Sequence, residues 1–421
     1  MVFKLGSRVF YGWWIVIVSL LCMFMGLGIS AFTFGVFLKP ITQEFGWSRG
    51  AFSGIYFLFS LSTGLAGPPI GRLVDKYGPK WIMVSGAVGM GASLILFGLI
   101  VNSLWHAYII YFLLGLGVTA MAGVPAVAVV SYWFSRKRGL AMGATITGVG
   151  LGGIIMITLA HYFLLKFGWR ATYLIFGILV WLIIIPAVAL VIKNKPQDVG
   201  LEPDGIKGQE RKEKGNPDFY AKGVVKDAFR TSNFWILTAV FVLVGISTMG
   251  TMAHFMSFIT DRGMSTALAA AVYGLMPGLS IIGRLGFGYL SDKTDKRYVA
   301  AICYGMMTLG IFSMLLALTL KSSAMFYFTA ACFGFSLGGV FTLQPILVGY
   351  CFGLVSFGEI FGFIQIGWTF GGAAGPLIVG FLYDLAKSYY FGFLVIMGTV
   401  FLASFLVLFI KPLKPKITFT M

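Results

Sequence analysis

Two sets of six apolar stretches, each long enough to cross a lipid bilayer, run through this sequence and decide most of what it can become. They cover about residues 13–38, 50–72, 80–100, 104–133, 138–164 and 169–192, then about 233–260, 267–291, 297–319, 323–352, 358–385 and 389–410. A helix of about 20 residues spans the hydrocarbon core. In lipid every backbone N–H and C=O must find its partner inside the protein, which leaves helices and closed barrels as the possible spanning structures. Barrel strands alternate apolar and polar residues, and these continuous runs do not. The expectation is an all-α membrane protein with twelve transmembrane helices. No stretch is left over for a water-soluble catalytic domain, so the chain is not read as an enzyme.

Between the two sets, residues 193–232 hold nine basic and seven acidic residues together with Pro196, Pro203 and Pro217. Such a segment cannot bury enough apolar surface to fold by itself. It reads as a polar linker between a first bundle, 1–192, and a second, 233–421, with a short amphipathic helix around Phe219–Phe229 as the alternative for part of it. The net charge of +17 raises the question of nucleic acid, and the placement of the charge answers it. Loops assigned alternately to two sides put 23 Lys and Arg on the side of the linker and both termini, and seven on the other. By the positive-inside rule the richer side is cytoplasmic. The excess then reflects topology and anionic lipid, and no nucleic acid partner is expected.

Lys4 and Arg8 precede a long apolar run that lacks a small-residue cleavage site, so the first helix is expected to be retained. The location read from this is the cell membrane, a bacterial inner membrane, with both termini cytoplasmic. Cys22, Cys303, Cys332 and Cys351 all fall within spans, without the spacing of a metal site, so neither a metal nor a cofactor is expected.

The two sets repeat each other. Gly71-Arg-Leu-Val-Asp75-Lys-Tyr-Gly-Pro-Lys80 after the second span is echoed by Gly288-Tyr-Leu-Ser-Asp292-Lys-Thr-Asp-Lys-Arg297 after the eighth. Gly139, Gly143, Gly148, Gly152 and Gly153 are matched, 219 residues on, by Gly358, Gly362, Gly367, Gly371 and Gly372. Two pseudo-symmetric six-helix bundles are the arrangement of transporters that bind substrate at the interface of the halves. Asp75 and Asp292 stand where spans meet loops, and there a carboxylate can accept hydrogen bonds from the N-terminal amides of a neighbouring helix. They are candidate gating residues, with Lys76, Lys293 and Arg138 beside them; helix capping is the plainer alternative. Gly148, Gly152, Gly371 and Gly375 allow close backbone approach, either for packing alone or for sliding.

G-x-L-x-D-K-x-G-x-K between spans two and three of a six-plus-six chain resembles the signature of the major facilitator superfamily. More narrowly, Tyr11-Gly12-Trp13-Trp14 and Trp133-Phe134-Ser-Arg136-Lys-Arg138-Gly-Leu140-Ala141-Met-Gly143 resemble the two fingerprints of the monocarboxylate porter family, and equally the related oxalate/formate antiporters. Tyr11 departs from the pattern, which usually has an acidic residue there. The resemblance implies a monomeric secondary carrier that moves a small monocarboxylate, such as lactate or pyruvate, with a proton by rocking between two faces. Organic anion exchange is the alternative within transport, and a non-transporting receptor the alternative outside it.

Arg284 is the one Lys or Arg well inside a span, and an intramembrane charge is a functional hypothesis by default. Gly283-Arg284-Leu285-Gly286-Phe287-Gly288 fits the context in which the resembling family binds the substrate carboxylate. The planar guanidinium can grip a carboxylate with two parallel bonds. Ser280, one turn earlier, would face the same cavity, and Phe32, Phe335, Leu337 and Trp368 are candidate walls for a short acyl chain. The span-one lysine and span-eight aspartate of animal monocarboxylate porters align with Phe32 and Ser280. The usual proton relay is therefore missing, and His254 and Asp261 become the proton-coupling candidates, His254 also as a ligand contact. The span-eleven lysine of the antiporters has no counterpart in the stretch from Gly362 to Gly371, which disfavours exchange.

Overall fold

The computed structural model describes residues 10–205, 224–260, 266–320 and 323–412. Asp261 lies outside the described residues, as do Phe219–Gly223 of the suggested linker helix.

Among the described residues the structure is helical, without a strand. The first crossing is built from α1 (Gly12–Leu27), a π-helical turn at Gly28–Phe32 and α2 (Phe34–Phe45). It outruns the apolar stretch at its far end, where the Glu44 carboxylate accepts bonds from Trp169 Nε1 and Arg170 Nη2 at 2.6 and 3.0 Å. Next come α3 (Arg49–Tyr77) and α4 (Pro79–Ile100); α5 (Leu104–Ala122) and α6 (Val124–Trp133), interrupted at Gly123, form the fourth crossing. α7 (Arg138–Leu179) has 42 residues, enough for two crossings of about 20 residues each. It turns back at Gly168, whose φ of 77° and ψ of 171° are essentially restricted to glycine. The returning limb passes through a π-helical turn at Val180–Ile184 into α8 (Ile185–Val191) and comes home to the starting side, where Trp133 Nε1 donates to the Lys193 carbonyl at 2.9 Å.

The linker shows short 3₁₀ turns at Pro196–Val199 and Pro203–Gly205, then α9 (Val224–Phe229). Its two described ends are anchored on different halves. Asp204 accepts bonds from the backbone N–H groups of Ser135 and Arg136 at 2.9 and 2.7 Å, whereas Phe229 packs on Phe234 and Phe363. The second half is α10 (Ser232–Thr260), α11 (Thr266–Lys293), α12 (Lys296–Leu320), α13 (Ser323–Phe352), α14 (Phe357–Ala386) and α15 (Tyr390–Leu406). With α7 counted as two limbs, the described helices make twelve crossings.

In the first half α7 packs on α1 and α4, and α5 on α3 and α4; in the second, α14 packs on α10, α13 on α11 and α12, and α15 on α10 and α12. The halves meet along two seams, α3 on α14 and α7 on α11, the latter joined by α13. α3 and α11 are the crossings that fall outside the nine strongly apolar spanning stretches among the described residues. They hold corresponding places in the repeat and face the partner bundle.

The repeated glycines divide between two jobs. A Cβ at Gly148 or Gly152 would collide with the carbonyl of Leu20 or Phe24 on α1, and one at Gly371 or Gly375 with that of Val242 or Ile246 on α10. These four pack helices within a bundle. A Cβ at Gly71 would strike the Gly358 carbonyl, and one at Gly139 the Gly288 carbonyl, both across a seam. Five residues separate Gly143 from Gly148, so the second pair of glycines on α7 points about 140° away from the first. One helix thereby presents a bare face to its own bundle and another to the opposite bundle.

Candidate functional site

At the linker end of each seam, an aspartate from one bundle caps a helix from the other. Asp75, near the end of α3, accepts the N–H of Gly358 on Oδ1 at 3.1 Å and that of Glu359 on Oδ2 at 2.9 Å; the Tyr132 hydroxyl donates to it at 3.4 Å. Asp292, near the end of α11, accepts the N–H of Gly139 on Oδ1 at 2.7 Å and that of Leu140 on Oδ2 at 2.9 Å. These amides open α14 and α7, where intrahelical partners are lacking and the helix dipole favours a negative charge. Of the remaining gating candidates, Arg138 reaches the opposite bundle, its Nη1 lying 3.5 Å from where a Cβ at Gly349 of α13 would be. Lys76 and Lys293 are exposed, with their ammonium groups 4.8 and 5.6 Å from the ring centroids of Tyr77 and Tyr289. Arg138 Nε donates to the Phe134 carbonyl at 3.1 Å. In the turn beside Asp292, the Arg297 guanidinium holds the Asp295 carboxyl below the usual carboxylate range.

Farther along the α7–α11 seam lies Arg284, only 3% exposed. Its own backbone is packed so tightly that a Cβ at Gly143 of α7 would strike its carbonyl. Side chains lean toward the N-terminus of their helix, and α11 runs toward the linker end, so the guanidinium points back into the molecule. Nε and Nη1 are buried with no hydrogen-bond partner among the described residues. Leaving a buried charged donor unmet costs several kcal/mol, so this group is poised for an anion.

The other candidate residues gather around it to different degrees. Phe335 of α13 lies along α11 on both sides of Arg284, its backbone against Gly283 and its ring against Gly286 and Phe287, with ring centroids 5.1 Å apart in the last pair. Ser280 is buried, and its hydroxyl donates to the Pro277 carbonyl of its own helix at 2.7 Å. Phe32 sits at the π-helical turn of the first crossing with its ring 3.4 Å from where a Gly153 Cβ would be. Leu337 is buried in α13, and Trp368 of α14 meets Phe341 of α13 edge to face, centroids 5.3 Å apart.

His254 is placed elsewhere. Its Nε2 lies 3.0 Å from the Pro376 carbonyl of α14, and its ring is 5.6 Å from that of Tyr389, between helices of the second bundle. A carbonyl can only accept, so Nε2 carries the hydrogen. Sequence reasoning passed over Gln365 of α14, whose Oε1 is buried and unpartnered among the described residues. An amide within a span was the available signal, one that Gln344 of α13 gives too. Among the described residues no three His, Cys, Asp or Glu side chains are gathered as a metal would need.

Comparison with known proteins agrees with this architecture. The oxalate:formate antiporter of Oxalobacter formigenes is 28% identical over 97% of this chain and 92% of its own length. Monocarboxylate transporter 13 of Bos taurus is 25% identical over 96% of this chain and 89% of its own. A solved transporter, FucP in the outward conformation, superposes with a TM-score of 0.66 over 94% of this chain and 99% of that one, at 16% identity, a likeness of fold. The profile of the Major Facilitator Superfamily matches residues 16–357. The chain belongs to the Major Facilitator Superfamily of membrane transporters.

Proposed function

We propose that this transporter carries a small monocarboxylate, such as lactate or pyruvate, together with a proton, by rocking the 1–192 bundle against the 233–421 bundle about Arg284. The observation that carries the reading is the buried guanidinium with Nε and Nη1 unmet among the described residues. A carboxylate can take two parallel charge-assisted bonds from one edge of a guanidinium, either Nε with Nη2 or Nη1 with Nη2, and each edge includes one of the unmet atoms. The Ile281 side chain, which meets the same point over Gly150 as Arg284 Nη1 does, suits a short carbon chain rather than a second charge. The named activities of the relatives support small carboxylates as the class. Under the positive-inside rule the linker end is cytoplasmic, and with both aspartate contacts made that end is closed. The carrier works as a monomer in the cell membrane, and His254 and Asp261 are the proton-coupling candidates.

Anion exchange is the second reading, favoured by the 28% identity to an oxalate:formate antiporter. Uptake of labelled L-lactate into proteoliposomes separates the two. Accumulation driven by an inward proton gradient and abolished by a protonophore supports symport; uptake that ignores the gradient but needs preloaded oxalate or formate supports exchange. Arg284→Lys keeps the charge but loses the fork. It should lower uptake at least about 30-fold, the effect of spoiling a buried charged contact, while membrane insertion is unchanged. Near-native uptake by that variant sinks the carboxylate assignment.

A further inference from the structure

The partner that Arg284 meets on the opposite bundle is a bare stretch of backbone. A Cβ at Gly150 of α7 would lie 2.7 Å from Arg284 Nη1, 3.4 Å from Ile281 Cγ1 and 3.7 Å from Arg284 Cζ. Gly143 touches the Arg284 carbonyl, and Gly150, seven residues on, falls within about 20° of the same face of α7. α7 runs away from the linker end and the Arg284 side chain leans that way too, so the guanidinium lies along α7 from Gly143 toward Gly150. One turn farther, Gly153 faces the Phe32 ring.

The internal repeat shows that this bareness is not required by the helix crossing. Position 369 of α14 corresponds to 150 of α7, and there Thr369 carries a side chain that packs on Gly64 of α3. On the α3–α14 seam the bulk stands on α14 and the bare position on α3. On the α7–α11 seam the assignment is reversed: Ile281, the counterpart of Gly64 in the repeat, carries bulk on α11, and the Arg284 guanidinium lies over Gly150 beside it. Gly150 also lies outside the spaced residues that carry the family resemblance.

We propose that Gly150 is a positioning and specificity-determining residue, whose missing side chain seats the Arg284 guanidinium so that its fork is presented to a single carboxylate. The inference rests on Arg284 being the carboxylate ligand. The site is then shared: one bundle supplies the cation and the other supplies the floor that aims it. Any side chain at 150 tilts the fork, which weakens two-point binding without removing the charge.

Uptake kinetics of Gly150→Ala in proteoliposomes, with L-lactate, pyruvate, formate and oxalate as probes, test this. The colliding atom is the free end of a long side chain and alanine is the better helix former, so insertion and thermal stability should be retained. The KM for the acid the native chain takes should rise about tenfold, the size of one charge-assisted bond, with kcat changed far less. Gly398→Ala, at an open position on α15 with nothing within 4 Å of its Cβ, should leave KM alone. A KM within twofold of native for Gly150→Ala, with Arg284→Lys inactive, overturns the inference and spares the carboxylate assignment. A fall in Tm beyond about 5 °C overturns it too, since the position would then be a packing contact. If Arg284→Lys is near native, or the native chain moves none of the four acids, the underlying reading fails.

Discussion

Removing one aspartate contact should tilt the balance between the two faces of the carrier by an amount the geometry allows us to work out. Asp292 accepts two backbone N–H groups at 2.7 and 2.9 Å, and Asp75 accepts two at 3.1 and 2.9 Å plus a weaker hydroxyl. At about 1 kcal/mol net for each amide bond, with a few tenths from the helix dipole, each contact favours the closed linker end by about 2 kcal/mol, a factor of about 30. Alanine is the informative substitution, since it takes away both acceptors and leaves amides that water can satisfy only after the bundles separate. The two contacts lie on different seams, so their effects should add, giving about 4 kcal/mol in Asp75→Ala/Asp292→Ala. The assay is the spin-label distance between Tyr77→Cys and Val355→Cys, both exposed and on opposite bundles at the linker end. The native cysteines are buried or half-buried and leave the labels selective. A narrow short distance should broaden in each single variant and shift to a longer one in the double variant. An unchanged distribution in the double variant would refute the assignment of these carboxylates as closing contacts.

Two further perturbations separate roles that look alike in the sequence. Gly139→Ala sets a Cβ against the Gly288 carbonyl across the seam, whereas Gly148→Ala sets one against the Leu20 carbonyl within a bundle. The first should open the linker end in the same distance measurement with Tm little changed; the second should lower Tm by several degrees, for an overpacking cost of about 1–3 kcal/mol. His254→Gln keeps a donor for the Pro376 carbonyl but cannot take up a proton, so the pH profile of uptake should shift; an unchanged profile removes His254 from the proton path.

The periodicity of hydropathy made the twelve crossings legible because lipid admits so few backbone solutions. Helix ends matched to a few residues, with one extension: the first crossing reaches Phe45, since Glu44 has polar partners at the far end and no need of apolar surroundings. The break between residues 164 and 169 is the non-helical backbone of Gly168, where one helix ends and the returning one begins, a geometry that hydropathy cannot resolve. Arg284 stood out because a charge inside a span is rare. What it reaches did not, because facing depends on how one helix is rotated against another. Yet the opposed faces of Gly139 and Gly143 against Gly148 and Gly152 follow from 100° per residue, and a helical wheel of α7 would have sorted them. The Pro376 contact of His254 was beyond reach, since it pairs residues 122 apart in the chain.

The anchoring of the linker at both described ends bears on how the halves are held together. Asp204 is held on the first half by the N–H groups of Ser135 and Arg136, and Phe229 on the second by Phe234 and Phe363. Each described end of the linker is thus part of the bundle it adjoins, and a shared peptide chain keeps the two bundles at a high effective concentration for each other, an advantage that two separate subunits of a dimer lack.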